Sequence, residues 1–471
     1  MANLINLENI KGKIHFIGIG GVGMSALAII LNKLGFEISG SDISYNDNIK
    51  KLESLGIKCY TPQKQENISD NVTLTVKTSI IYDDNPEIIA SKNKNIQIIR
   101  RADMLAAILA SKKAITIAGT HGKTTTTTII SEIFEEANLD PMVINGGIIN
   151  RFNSNGKFGQ GEYAIAESDE SDASFVDLPS FIAIVTNIEA DHMDFYQNDH
   201  EKYKSYFEQY IKQIPKDGLV ILNIDDQNIQ NIYNKISNKS HIITYSFNGS
   251  GDVNISNINQ DINGCKFDLI SDNYQIKDIF ANFYGIHNIG NAAACISVAK
   301  FVGISDESIK NALKNYRGVQ RRFTKVGEYK NSAIIDDYGH HPTEISATLE
   351  ASKQIVGDKN KIITIFQPHK YSRTLDLLDE FANCFKLSEI VIIDDIHRIA
   401  GERTDLVNQD ILIEKIKETG QDNVIKLENK EDLARITKKY INKGDLILCS
   451  GAGTITKMAR NLEKELKELD E

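Results

Sequence analysis

Paired cysteines, a basic surface and a long apolar run are all missing from this chain of 471 residues. The five cysteines, Cys59, Cys265, Cys295, Cys384 and Cys449, are odd in number, widely scattered and include no CxxC pair. That argues against a disulfide framework or a cysteine zinc site and fits a reducing compartment. The net charge of −11 and pI of about 5.5 argue against non-specific binding to nucleic acid or anionic membrane. No apolar run reaches the ~18 residues of a transmembrane helix. No basic stretch followed by an apolar one opens the chain, so no secretory signal is expected. There is no repeat, low-complexity segment or long linker. These absences point to a cytoplasmic protein with no nucleic acid and no membrane as partners; small-molecule partners and a monomer or homodimer are separate expectations that they do not fix.

What is present is a soluble globular balance of 41% hydrophobic and 25% charged residues. The length suggests two to four domains of roughly 100–200 residues. Three blocks stand out. In the first, 1–112, the apolar strand Lys13–Ile19 meets a Gly-rich turn and the helical stretch Met24–Leu34. Strand-like segments follow at Phe36–Ser39, Val72–Val76 and Ile96–Arg100. In the second, 113–317, strand Ala114–Ala118 runs into GTHGKTTTTT and a helix to about Ala137. Further strands are read at Tyr163–Ala166, Ile182–Asn187 and Leu219–Asn223, short strands across 241–285, and a helix over Asn288–Val302. In the third, 318–471, strands are read at Ala333–Asp336, Lys361–Phe366, Glu389–Asp394, Asn423–Leu427 and Asp445–Cys449. Strands alternating with helices imply parallel sheets.

The strongest chemical signal is Ala118–Thr128, AGTHGKTTTTT, between a strand and a helix. A turn of Gly119 and Gly122, with Thr120 and His121 between them in the expected ATP-binding loop, lets backbone N–H groups face a phosphate chain, and the helix N-terminus adds its positive end. Lys123 can neutralise β- and γ-phosphate charge, and Thr124, followed by Thr125, can offer a hydroxyl to Mg²⁺. The pattern is GxxGKT, with Ile117 where the longer loop has its first glycine. Gly18, Gly20, Gly21 and Gly23 form GxGxxG, followed by Met24 and Ser25, with Asp42 at the end of the second strand. This is a dinucleotide fingerprint, yet the same geometry holds any diphosphate, including that of a UDP-sugar. In AESDESD, Glu167 sits nearest a strand end and is the chosen Mg²⁺ ligand among four acids. His192, within TNIEADHMD, is either a metal ligand or a surface histidine in an ion pair; the spacing does not indicate catalytic zinc. DDYGHHP (336–342), FQPHKYSRT (366–374) and the pair Arg321–Arg322 lie at or near C-terminal strand ends, where open α/β sheets bind ligands.

Taken in order, GIGGVGMSA (18–26), GTHGKTTT (119–126), AESDESDASF (166–175), TNIEADHMD (186–194), HNIGNAAA (287–294), RRF (321–323), DDYGHHPTE (336–344) and FQPHKYSRT (366–374) resemble the Mur ligase family over essentially the whole chain. DESDASF and DDYGHHP look like its alanine-adding branch. The resemblance implies an α/β protein of three domains: Rossmann-like and UDP-binding, then P-loop ATPase-like, then Rossmann-like and amino-acid-binding. It implies ATP and Mg²⁺, with UDP-N-acetylmuramate and L-alanine as substrates and an acyl phosphate between them, in peptidoglycan precursor synthesis. Lys123 would contact ATP phosphates, with Thr124 and Glu167 on one Mg²⁺ and His192 on a second. Asn288 and Asn291 resemble the family's adenine contacts, and Arg322 and Asp337 its phosphate and ribose pair. Tyr338, His340, His369, Lys370 and Arg373 would lie near the muramoyl carboxylate and the alanine. Position 370 is Lys where the motif usually has Arg, which turns a bidentate contact into a point charge. Two rivals are an NAD-dependent oxidoreductase, which gives GTHGKT no task, and a P-loop ATPase without ligase activity, which leaves the third block unexplained.

Overall fold

The computed structural model describes residues 5–191, 193, 195–236, 241–261, 264–398 and 406–470. The chain divides into two compact units, one of 1–258, 266–281 and 288–318, the other of 259–265, 282–287 and 319–471.

The alternation read in the first block forms a five-stranded parallel sheet. Its strands are β1 (Lys13–Ile17), β2 (Ile38–Ser41), β3 (Lys58–Tyr60), β4 (Val72–Lys77) and β5 (Gln97–Arg100), in the order β3-β2-β1-β4-β5. The order reverses between β1 and β4, so their C-terminal ends open a crevice of the kind that binds ligands. Helix α1 (Val22–Lys33) follows β1, and α2 (Arg101–Leu109) follows β5. Helix α1 is apolar over most of its surface, and its residues Met24 to Leu31 are accordingly all buried. They join Ile14, Phe16, Leu74 and Val76 of the sheet in one core.

Beneath that core a buried polar network ties the strands together. Glu87 and His15 are fully buried, with His15 Nε2 3.4 Å from Glu87 Oε2. Ser41 Oγ donates to the same carboxylate at 2.5 Å, Asn67 Nδ2 at 2.6 Å, and Ser39 Oγ meets His15 Nδ1 at 3.0 Å. Burial pushes the Glu87 carboxyl up, but His15, Ser41 and Asn67 outweigh it and hold the group below its ordinary range.

The second sheet has ten strands: β6 (Lys113–Ala118), β7 (Met142–Ile149), β8 (Ser154–Lys157), β9 (Tyr163–Glu167), β10 (Ser180–Val185), β11 (Leu219–Asn223), β12 (Ile242–Ser246), β13 (Val253–Asp261), β14 (Gly264–Ser271) and β15 (Gln275–Ala281). Their order is β15-β14-β13-β12-β11-β10-β6-β9-β7-β8. Strand β6 therefore lies between β10 and β9, and the loop that follows it is flanked by the loops that follow both. The antiparallel β7–β8 hairpin is not legible in the sequence pattern. It packs on α1: Asn155 Nδ2 donates to Val22 O at 2.5 Å and to Ser25 Oγ at 2.9 Å. Helices α3 (Lys123–Glu136), α4 (His200–Lys212) and α5 (Ile286–Phe301) complete the parts that matter for the site.

The third sheet is β16 (Thr324–Tyr329), β17 (Ser332–Asp337), β18 (Ile362–Phe366), β19 (Ile390–Ile393), β20 (Val424–Lys426) and β21 (Leu446–Ser450), in the order β16-β17-β21-β18-β19-β20. All pairs are parallel except β16–β17. Side chains alternate between two cores. Ile335, Phe366, Val391 and Leu448 enter one, and Ile334, Ile365, Ile392 and Ile447 the other. Both faces are covered, which is why these strands read as continuous apolar runs.

The Glu87 network yields a stability prediction. Glu87→Ala removes the shared acceptor of His15, Ser41 and Asn67 and costs about 3 kcal/mol. Chemical denaturation followed by circular dichroism should show an unfolding transition at lower denaturant. An unmoved midpoint contradicts the assignment.

Candidate functional site

The loop after β6 is fixed by its glycines. Gly119 has φ +133° and Gly122 φ +84°, values that side chains rarely allow. A Cβ on Gly119 would come within 2.2 Å of Thr186 Oγ1, and one on Gly122 within 2.9 Å of Asn291 Oδ1. Gly122 caps α3 with no side-chain bond, so among the described residues no side-chain cap occupies the first-turn amides. The segment after β10 pins the loop. Thr120 N donates to Asn187 O at 3.2 Å and His121 N to Asn187 Oδ1 at 2.9 Å. Thr186 Oγ1 donates to His121 O at 2.6 Å, and Thr120 Oγ1 bonds both the carbonyl and the amide of Glu189. Thr124 is buried in the first turn of α3, next to Thr125. Asn291 Nδ2 donates to Asn288 Oδ1 at 3.2 Å, so both asparagines predicted on α5 stand beside the loop.

Lys123 folds back over its own loop. Its Nζ donates to Gly119 O at 2.5 Å and Thr120 O at 3.0 Å, and it lies 2.8 Å from Glu170 Oε2. Glu170 was not singled out by the sequence. Glu167, which was, ends β9 and accepts from Gly146 N at 2.7 Å. Asp169, between them in the chain, pairs with Arg101 at 3.0 Å. Burial pushes the Asp169 carboxyl up, but Arg101, Ser171 and Lys123 outweigh it and hold the group below its ordinary range.

Burial, helped by Asp169, pushes Glu170 up to about 7, with Lys123 pulling it back. Burial also opposes the Lys123 charge, but Glu170, Asp169 and Glu167 together raise that amine. Lys123 has three carboxylates around it and Glu170 has one nearby cation, so Lys123 stays charged and Glu170 is the member that titrates. A carboxyl raised on folding contributes stability at low pH that is lost as the pH rises through about 7.

At the other glycine loop, Gly18, with φ +85°, donates its N–H to Ser41 O at 2.8 Å, and Gly21 N donates to Gly18 O at 3.1 Å. Asp42 accepts from Gly20 N at 3.0 Å and Ile43 N at 2.8 Å, so this carboxylate shapes the loop itself. Gly21 is the N-cap of α1 and makes no side-chain cap bond, and Gly23 lies in the first turn. The side chains of Met24 and Ser25 face inward, Met24 into the core and Ser25 onto Val22 O and Asn155.

In the second unit Asp337 is buried at the end of β17. It accepts from Phe323 N and Gly339 N, each at 2.8 Å. Burial raises its carboxyl, and Arg322 opposes the shift. The Arg321 and Arg322 guanidinium carbons lie 4.6 and 5.2 Å from the Tyr338 ring centre. A file of rings continues from Tyr338 to His340 at 5.2 Å, His369 at 5.9 Å and His397, stacked at 5.4 Å. His397 escaped the sequence reading, since only the fold brings it beside FQPHK: Lys370 N donates to its carbonyl at 3.1 Å. Burial lowers His340 to about 4, with Arg373 adding to the effect. Burial, His340 and Arg373 lower His369 to about 3. His192 lies outside the described residues.

A GxxGKT loop between β6 and α3, a glycine loop on another sheet and a row of partly buried arginine, lysine and histidine side chains on a third are the features of an ATP-using enzyme of the three-sheet α/β ligase class. Models of the Mur ligase family match 13–113 ("Mur ligase family, catalytic domain"), 117–299 ("Mur ligase middle domain") and 321–453 ("Mur ligase, glutamate ligase domain"). The chain belongs to the Mur ligase family. It is 39% identical to the UDP-N-acetylmuramate–L-alanine ligase of Bradyrhizobium diazoefficiens over 464 residues, 97% of this chain and 98% of that one. It is likewise 39% identical to the enzyme of that name in Brucella anthropi, over 97% and 98% of the two chains. The structure resembles that of UDP-N-acetylmuramate–alanine ligase from Thermotoga maritima, with a TM-score of 0.83, 26% identity and coverage of 98% of this chain and 100% of that one.

The titrating member of the Lys123 pair gives a pH prediction. Above pH 7 the Glu170 carboxylate competes with phosphate for Lys123; below it the competition ends. Glu170→Gln should bind a non-hydrolysable ATP analogue several-fold tighter than the unaltered protein at pH 8, roughly one pKa unit past the midpoint, and equally at pH 6. Calorimetry at the two pH values checks this, and a ratio independent of pH contradicts it.

Proposed function

We propose that the protein is an ATP-dependent ligase that joins L-alanine to the muramoyl carboxylate of UDP-N-acetylmuramate, as a cytoplasmic step of peptidoglycan precursor synthesis. The carrying observation is the phosphate loop, with Lys123 and the open amides of α3, in a chain matched end to end by ligases of that name. In this reading 1–112 binds the UDP end, 113–317 binds ATP and 318–471 binds the amino acid. No helix among the described residues is long and apolar enough to cross a membrane.

The proposed chemistry has two steps. The muramoyl carboxylate attacks the γ-phosphorus of ATP and displaces ADP, giving an acyl phosphate. The alanine amine then adds to the acyl carbon, loses a proton, and phosphate leaves with its pair of electrons. Lys123 leaves Glu170 for the transferred phosphoryl group, and the first-turn amides of α3, Lys123 to Thr125, hold its oxygens. Thr124 and Glu167 offer oxygen donors, the set a hard divalent cation takes. Mg²⁺ held there would neutralise charge developing on the phosphoryl oxygens. Asn288 and Asn291 are assigned to the adenine, Arg322 and Asp337 to the phosphate and ribose side. Tyr338, His340, His369, Lys370 and Arg373 are assigned to the carboxylate and the amino acid; the depressed histidines leave the cationic work to Arg373 and Lys370. His192 is kept as the candidate for a second Mg²⁺. The GxGxxG loop is assigned to the UDP diphosphate, as the family resemblance implies, and not to NAD.

The testing assay is ADP release that requires both UDP-N-acetylmuramate and L-alanine. Release that ignores either substrate favours the plain ATPase. Lys123→Ala should lower turnover by roughly a hundredfold or more, by loss of a transition-state charge contact, with an unchanged far-ultraviolet spectrum. Retention of most of the turnover would show that the loop serves another purpose.

A further inference from the structure

One ion pair joins the surroundings of the two loops of the first unit. Arg101 opens α2, and its Nη2 donates to Asp169 Oδ2 at 3.0 Å. The same guanidinium lies on Gly23. A Cβ there would come within 3.3 Å of Arg101 Cδ and of Nη1, so the glycine makes room for the cation. Gly23 sits in the first turn of α1, whose N-cap contributes no side-chain bond. A helix N-terminus is positive, so a cation beside it is unfavourable unless an anion joins them. Asp169 is such an anion, and it approaches from the side of the acidic segment. The pair is accessible, with 24% of the Arg101 side chain and 44% of the Asp169 side chain exposed, so it can exchange partners. The next residue after Asp169, Glu170, holds Lys123 of the phosphate loop at 2.8 Å. A chain of alternating charge thus runs from Gly23 through Arg101, Asp169 with Glu170, and Lys123.

On the ligase reading above, on which this inference rests, the anion that comes to the glycine loop is the diphosphate of the UDP-linked substrate. We propose that Arg101 receives this diphosphate and that Asp169 is its counter-ion in the free protein. Occupancy of the glycine loop then draws Arg101 from Asp169 and alters the hold of the acidic segment on Lys123. By linkage, nucleotide in the phosphate loop alters the affinity for the UDP substrate by the same factor.

The sign of two substitutions separates this from a tie that merely stabilises the fold. Calorimetric titration of the full chain with UDP-N-acetylmuramate, without alanine, should give about tenfold or greater weakening for Arg101→Ala, the loss of one charge-assisted contact. Asp169→Asn removes the competitor and should tighten binding. A structural tie predicts weakening in both. The affinity for a non-hydrolysable ATP analogue should change when UDP-N-acetylmuramate is present, and the change should shrink in both variants. Arg101→Gln, which keeps the side-chain stem, decides the matter if the alanine variant does not fold. Equal weakening by both substitutions overturns the proposal, as does binding by the Arg101 variants within about twofold of the unaltered protein. If the unaltered protein binds no UDP-N-acetylmuramate, the ligase reading itself fails and takes the proposal with it.

Discussion

The turn between β6 and α3 is the constraint on which the first unit's chemistry depends. Two positive-φ glycines bring the backbone so close to Thr186, Asn187 and Asn291 that no Cβ fits. Sheet order decides who the neighbours are. Because β6 lies between β9 and β10, their C-terminal ends deliver Glu167 and Thr186 to either side of it. The acidic segment and the TNIE segment are separate stretches of sequence but walls of one site. Asn187 and Thr186 occupy the His121 carbonyl and the Thr120 and His121 amides, and Lys123 the Gly119 and Thr120 carbonyls, which leaves the α3 amides as the open donors among the described residues.

Charge in that site is arranged with burial working against it. Around Lys123 three carboxylates prevail over burial; at Glu170 a single lysine does not. The second unit shows the opposite balance. There Arg373 and burial act together, and the histidines beside it lose their charge. Cation and neutral imidazole are thus assigned different roles by their surroundings, although the residues are neighbours in one motif.

Much of the architecture is legible in the sequence, and for a definite reason. Strands buried on both faces read as apolar runs, and their C-terminal ends are marked by Gly-rich or polar turns, as at Ile17–Gly18, Ala118–Gly119 and Phe366–Gln367. Boundaries differ by a residue or two; β2 is Ile38–Ser41 where Phe36–Ser39 was read. Both Asn288 and Asn291 stand beside the phosphate loop because they share a helix face, three residues apart. The β7–β8 hairpin was not legible: its strand residues include Asn145, Gly146 and Gly147, and its partner SNGK has no apolar alternation. Glu170, Arg101 and His397 were missed for another reason. Each acquires its role from a partner 28 or more residues distant, Lys123, Asp169 and His369 respectively, and local pattern carries no record of such pairings.

The central claim is that Lys123 and the phosphate loop serve transfer of the γ-phosphoryl group to a carboxylate. It is tested most directly with UDP-N-acetylmuramate carrying ¹⁸O in its carboxylate, in a complete reaction with ATP and L-alanine. The account predicts label in inorganic phosphate with ADP as the co-product. Label in AMP, with release of pyrophosphate, would contradict it.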